Sequence, residues 1–210
     1  SAGIEARGRT TILRLNYRNT REILSFAYDF AKDFITAQDA DDDHVPLIAP
    51  EVAGSSGSPP QFRKFGNFHD EAHYIARCIC KWHRNGELLN KIAVIYGYHW
   101  QAELLQSVLE EAGITCAWLK SASEKSRYNA NSNRVALLTR QSSKGLEFDT
   151  VVLAGLGGLN DEEENLESEA KLLYVGMTRA RQQLLLTGHG KNWFVRNFSI
   201  RGKSLPSQKI

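Results

Sequence analysis

KIAVIYGYHWQAELLQSVLEEAGITCAWL, residues 91–119, decides the fold class. Ile92–Tyr96 (IAVIY) is an uninterrupted apolar run, the pattern of a strand covered on both faces. Over 101–112 the pattern changes period: Leu104, Leu105, Val108, Leu109 and Ala112 fall on one side of a helix, which Gly113 can end. Residues 114–119 read as a second strand. A buried strand, a helix and another strand in succession imply parallel pairing through a right-handed crossover.

The same alternation extends in both directions. Towards the N-terminus, Thr11–Leu15 (TILRL) reads as a strand. Thr20 can cap a helix running to about Ile35, with Ile23, Leu24, Ala27, Phe30, Ala31 and Phe34 at helical spacing. Residues 37–60 form a linker, with acids around 39–44 and the turn-rich PEVAGSSGSPP at 50–60. Gln61–Phe65 is a further strand, and His69 to about Arg84 a helix carrying Ala72, Ile75, Ile79 and Trp82 on one face. Towards the C-terminus, the polar 121–133 (SASEKSRYNANSN) is a loop. Val135–Thr139, Thr150–Leu156 and Gln183–Thr187 are strands, with a helix over Glu169–Thr178. No internal repeat is present. The expected fold is a layered α/β domain.

Composition excludes several other classes. With 42% hydrophobic and 24% charged residues in 210, the chain can fill a core and is not disordered as a whole. No apolar run approaches the roughly 18 residues of a membrane helix. The N-terminal residues carry no apolar signal segment, and three cysteines are too few for a disulfide framework, so a cytoplasmic location is expected. Net charge is only +2, but it is segregated. Residues 161–169 hold six acids, whereas 170–210 hold eight Lys or Arg and no acid. Such a field can hold phosphates near the basic end, or it can be a solvated acidic loop followed by a basic tail.

Three segments carry chemistry. In LRLNYRNTREI (13–23), Tyr17 and Arg18 lie between a strand and a helix start. An aromatic face suits a base and a guanidinium fork suits phosphate oxygens. Because ligands of α/β sheets gather at the carboxyl ends of strands, the pair is expected there. A Tyr packed on the sheet beside a solvated Arg is the plain alternative. In TRQSSKGLEFDTVVL (139–153), a strand end is followed by small polar residues, Lys144 and a turn-forming Gly145. Hydroxyls, amides and one Lys suit a phosphodiester backbone, and Glu147 can accept from a ribose hydroxyl; a polar crossover loop is the alternative. In EAKLLYVGMTRARQQLLLTG (169–188), Arg179 and Arg181 precede a buried strand. Arginines so placed need an anionic partner, either a phosphate or the preceding acidic stretch.

In this order and spacing the segments resemble the C-terminal half of UvrD/Rep-like superfamily 1 DNA helicases. NYRNTREI is similar to motif IV, QSSKGLEFD to motif V, EAKLLYVGMTRAR to motif VI, and residues 91–114 to the strand–helix unit between motifs IV and V. The resemblance covers about residues 8–188. It implies a second RecA-like lobe, a three-layer α/β/α domain with a mostly parallel sheet and the P-loop NTPase superfamily fold without its own P-loop. That lobe would span 1–190 and be followed by a basic tail, 191–210.

The implied activity is that of an ATP-driven translocase, with ATP and magnesium bound only together with an N-terminal RecA-like lobe of the parent protein. Carried over, Tyr17 stacks on adenine, Arg18 touches the γ-phosphate, Glu147 contacts the ribose and Arg179 is the arginine finger. Gly145 and Arg181 join the nucleotide side as candidates. Thr139, Gln141, Ser142, Ser143 and Lys144 face single-stranded DNA. The chain departs from the family's pattern in three ways. Gln141 replaces the usual His, Gly97 follows Tyr96 where an Arg is usual, and only a short polar stretch lies between Leu119 and Arg134 in place of a large accessory subdomain.

No G-x-x-x-x-G-K-[ST] occurs. Gly202-Lys203-Ser204 imitates its end, but Asn197 stands at the first glycine position. The chain alone is therefore expected not to hydrolyse ATP, and its arginines are expected to be mobile without a phosphate. A metal site is not expected: His69 and His73 share a helix face, but Cys80 lies about 16 Å further along it. Asp161-Glu162 only imitates a magnesium-binding pair. Trp193, Phe194 and Phe198 among the basic residues of the tail can stack on a single strand or pack on the lobe. The competing function is a non-catalytic nucleic-acid or protein-binding module that keeps the lobe fold. A dinucleotide-binding enzyme is disfavoured, because no glycine follows the first strand.

Overall fold

The structure, a computed structural model, describes residues 18–35, 47–48, 53–128 and 132–203. The strand expected at Thr11–Leu15 and the candidate Tyr17 lie outside them. Six strands form one sheet: β1 (Gln61–Phe65), β2 (Ile92–Tyr96), β3 (Cys116–Trp118), β4 (Val135–Thr139), β5 (Phe148–Leu153) and β6 (Ala180–His189). Their order is β1-β6-β5-β2-β4-β3, and every pairing is parallel. Among the described residues six α-helices accompany them: α1 (Arg21–Ala31), α2 (Phe68–Arg84), α3 (His99–Glu111), α4 (Ala122–Arg127), α5 (Glu163–Met177) and α6 (Trp193–Lys203).

Both faces of the sheet are covered, which is why its central strands β2 and β4 read as continuous apolar runs. Along β2 the side chains alternate between two cores. Ile92, Val94 and Tyr96 meet α2 and α3, together with Ile75, Ile79, Leu105 and Leu109. Ala93 and Ile95 meet the opposite layer, with Phe30 of α1, Leu173 of α5 and Phe194 of α6. Gly176 lets α5 come close to β5: a Cβ there would stand 2.9 Å from a methyl of Leu153. The layers are helix, sheet, helix, as the resemblance implies.

The helix ends follow local chemistry. The Thr20 hydroxyl caps α1 by accepting from Ile23 N, and the Asn67 side chain caps α2 by accepting from Asp70 N. Several elements differ in their bounds from the sequence expectation, β6 running over Ala180–His189 rather than Gln183–Thr187 and β5 over Phe148–Leu153 rather than Thr150–Leu156; three further differences matter more. Helix α5 begins at Glu163, not Glu169, because Glu163 and Glu164 occupy its first turn, where negative charge complements the helix dipole. The polar 121–133 loop contains α4, nucleated by a capping box between Ser121 and Glu124. Within the expected tail, 193–203 is a helix whose Phe194, Val195 and Phe198 are fully buried against the lobe. The Phe198 ring packs on Phe26, Phe30 and Phe62. Of the two readings of those aromatics, packing holds for Phe194 and Phe198. Among the described residues no helix is long and apolar enough to cross a membrane.

Candidate functional site

Chain segments far apart in sequence meet where α5 runs into β6. There, four consecutive carbonyls, those of residues 178 to 181, are each bound by another segment. The Asn19 carboxamide donates to Thr178 O at 2.9 Å and to Ala180 O at 2.6 Å. Phe148 N donates to Arg179 O and Thr20 N to Arg181 O, both at 2.9 Å. Arg18–Thr20, Glu147–Phe148 and Arg179–Arg181 are thus stitched into one group, joining the three sequence segments.

This group sits at the amino ends of β5 and β6, a correction to the expectation that Arg18 would lie at carboxyl ends of strands. The physical reason is the stitching itself: Asn19 and Thr20 are bound to the residues at the start of β6. Arg18 is exposed there.

The two arginines beside it have different partners. Arg181 is paired with the Glu147 carboxylate at 3.2 Å and with Asp149 at 3.7 Å. Arg179 is ion-paired with no carboxylate among the described residues. Its Nε donates to Val175 O at 3.1 Å, Nη2 to the Thr178 hydroxyl at 3.2 Å and Nη1 to Leu146 O at 3.4 Å. Burial pulls its pKa down, and the Glu147 charge nearby offsets this in part. The expected mobility of Arg179 is therefore replaced by three hydrogen bonds to neutral oxygens. These orient a guanidinium without neutralising it.

Gly145 makes this possible. Lys144 (φ −54, ψ 130) and Gly145 (φ +79) form the centre of a tight turn closed by Leu146 N donating to Ser143 O at 3.1 Å. A positive φ at the third position of such a turn calls for glycine. The turn directs Leu146 O to Arg179 and starts β5 with Glu147 just ahead of it.

Thr139 ends β4, so the nucleic-acid candidates begin at the carboxyl side of the sheet, opposite the arginine group. Ser142 N donates to the Thr139 hydroxyl at 3.1 Å, and Gln141 and Lys144 are exposed. Ser143 does not share that surface, a correction to its expected role. It is fully buried, and its hydroxyl donates to Arg140 O at 2.6 Å, closing the turn.

Sequence reasoning missed Asn19 and Arg140. Asn19 is a polar residue directly before a helix cap, but its partners lie about 160 positions away. Arg140 directly follows an apolar strand, a costly place for a charge, and that was the available signal. Its Nη2 meets the Glu169 carboxylate at 3.1 Å. Thus Arg140, rather than Arg179 or Arg181, pairs with the acidic stretch before motif VI. The same guanidinium lies beside Gly97, where a Cβ would be 3.4 Å from Nη2.

Among the described residues no group of three or more His, Cys, Asp or Glu is gathered to hold a metal ion. His69 and His73 meet through their Nε2 atoms at 3.1 Å, while Cys80 turns its thiol toward Ala112 O.

The UvrD-like helicase C-terminal domain family matches residues 11–123 and 119–191, two stretches that meet at the short connection between β3 and β4. The chain is 33% identical over 102 residues to the ATP-dependent DNA helicase Rep of Escherichia coli K12, covering 43% of this chain and 15% of that protein. It is 39% identical over 71 residues to the ATP-dependent DNA helicase PcrA of Bacillus subtilis, covering 30% and 10%. These matches span only a small part of the relatives' length. In fold it is similar to the crystal structure of the C-terminal domain of a possible DNA helicase from Lactobacillus plantarum WCFS1. That likeness has a TM-score of 0.56 at 22% identity over 85% of this chain and 91% of the other.

Proposed function

The chain belongs to the UvrD-like helicase C-terminal domain family, and from that premise we propose that it serves as the second motor lobe of an ATP-dependent DNA helicase. In this role it supplies cations to ATP and part of a track for single-stranded DNA. One observation carries the reading: Arg179 is oriented by three neutral acceptors and makes no ion pair with a carboxylate among the described residues, whereas Arg181 and Arg140 are each ion-paired. An oriented, partly desolvated and unneutralised guanidinium is suited to negative charge that arrives and builds up.

The donor set fits a nucleotide's phosphates and not its magnesium. Arg179 would face the transferring phosphoryl group, with Arg18 beside it on the same stitched segment. Glu147, held by Arg181, offers a carboxylate for a ribose hydroxyl, and Tyr17 a ring for the base. When bound, ATP supplies the free energy of its γ-phosphate bond. The phosphate-cradling loop, the magnesium ligand and the group orienting water come in this reading from an N-terminal lobe. In this reading Thr139, Gln141 and Ser142, which begin at the carboxyl end of β4, and Lys144 further along the same loop contact the DNA strand. Its phosphates would be neutralised by Lys144 and bound by the hydroxyls and amide.

The test is ATP turnover by the parent enzyme with and without single-stranded DNA. Stimulation by DNA that is lost with Arg179→Ala supports the motor lobe. Turnover indifferent to both DNA and the substitution would leave a binding module that keeps only the fold.

A further inference from the structure

We infer that Asn19 is the positioning residue of the arginine site: it fixes the peptide group that leads into Arg179 and the one beyond Ala180, and holds Arg18 in register with Arg179. The inference rests on the role proposed for Arg179. Asn19 is only 6% exposed although its neighbour Arg18 is open to solvent. A carboxamide nitrogen has two hydrogens, and both are spent, on Thr178 O and Ala180 O. Thr178 O is in the peptide that leads into Arg179 and Ala180 O in the second peptide after it, while the peptide between is held by Phe148 N through Arg179 O, so the backbone from which the Arg179 side chain leaves is held before and after it.

The sheet explains why an outside donor is needed. Strand β1 pairs with β6 only from Leu185 onward, so among the described residues no strand lies beside 180–184 on that flank. Thr178 caps the end of α5, where carbonyls have run out of helical partners. Asn19 answers both deficits with one side chain. A serine or an alanine in its place cannot donate to both carbonyls. Because Asn19 adjoins Arg18, the same two bonds set where the Arg18 backbone lies relative to Arg179. Asn19 touches no reacting atom in this account; it acts through Arg179.

The experiment is a double-mutant cycle on ATP turnover of the parent enzyme at saturating single-stranded DNA, with Asn19→Ala, Arg179→Ala and the pair. A displacement on the order of 1 Å costs about 10²-fold in rate, so Asn19→Ala should lower kcat by about that factor and change KM for ATP far less. In the Arg179→Ala background, losing Asn19 should cost far less, only what the placement of Arg18 contributes. Losses that multiply across the cycle mark a general structural role and overturn the inference; so does an Asn19→Ala enzyme with full kcat. If Asn19→Ala does not fold, Asn19→Ser, which keeps one donor, carries the same cycle with a smaller first step. Unchanged kcat in Arg179→Ala overturns the reading of Arg179 itself, an outcome distinct from a failure of Asn19 alone.

Discussion

The Arg140 guanidinium lies 3.1 Å from the Glu169 carboxylate, with the two side chains 11% and 21% exposed. This ion pair joins the end of β4, where the nucleic-acid candidates begin, to the helix that ends just before Arg179. Removing one partner leaves the other charged in a mostly dry place. Glu169→Ala should therefore cost about 2–3 kcal/mol, somewhat under the loss for a fully buried pair. Replacing both, with Arg140→Met and Glu169→Leu, should cost much less than the single change. Urea denaturation of the three variants checks the pattern.

A second buried carboxylate holds the other side of the lobe. Glu71 on α2 is fully buried and accepts from Gly155 N at 2.9 Å, from the Thr187 hydroxyl at 2.8 Å and from His189 Nδ1 at 2.5 Å. Glu71→Ala leaves these donors without their acceptor at about 1–3 kcal/mol for each buried group. The expected loss is about 3 kcal/mol or more, read from the denaturation midpoint. Glu71→Gln, which keeps an oxygen, should lose less.

Burial pushes the Cys116 thiol up to about 12 and also raises that of Cys78. The thiolate is the reactive form, so a thiol reagent at pH 8 should modify Cys80 first and Cys116 only on unfolding. Mass spectrometry after timed labelling shows the order. The folded state holds the Cys116 proton more tightly than the unfolded chain does. Its contribution to stability is thus complete below the ordinary thiol value of 9.0 and is lost as the pH rises towards about 12.

Gly145 takes φ +79 with open space around it, so an added methyl would meet strain rather than a clash. Gly145→Ala should cost about 1–2 kcal/mol of stability. It should also shift Leu146 O, an acceptor of Arg179, and so lower ATP turnover in the parent enzyme. A variant that loses stability with kcat intact would separate the turn from the site.

The sheet was legible because its central strands are buried on both faces. Ile92–Tyr96 and Val135–Thr139 stand out as apolar runs and are strands with those bounds. Helix α5 was half legible, since its opening acids read as a separate charged stretch until the helix dipole is taken into account. The aromatics of α6 were visible, but only packing distinguishes a helix from a tail there. The residues of the arginine group were legible through their three segments. Their place at the amino ends of β5 and β6 was not, because it is set by hydrogen bonds from Asn19 and Thr20 across most of the chain. Glu71 and Arg140 were passed over for a related reason: their partners come from other elements.

The most direct measurement compares kcat of the parent enzyme carrying Arg179→Ala with that carrying Arg181→Ala, at saturating ATP and single-stranded DNA. If Arg179 is the oriented cation at the reacting phosphate, its loss should lower kcat by about 10³-fold or more. Arg181→Ala, which frees Glu147, should weaken ATP binding and leave much of kcat. A kcat that survives loss of Arg179 but collapses without Arg181 would contradict the account.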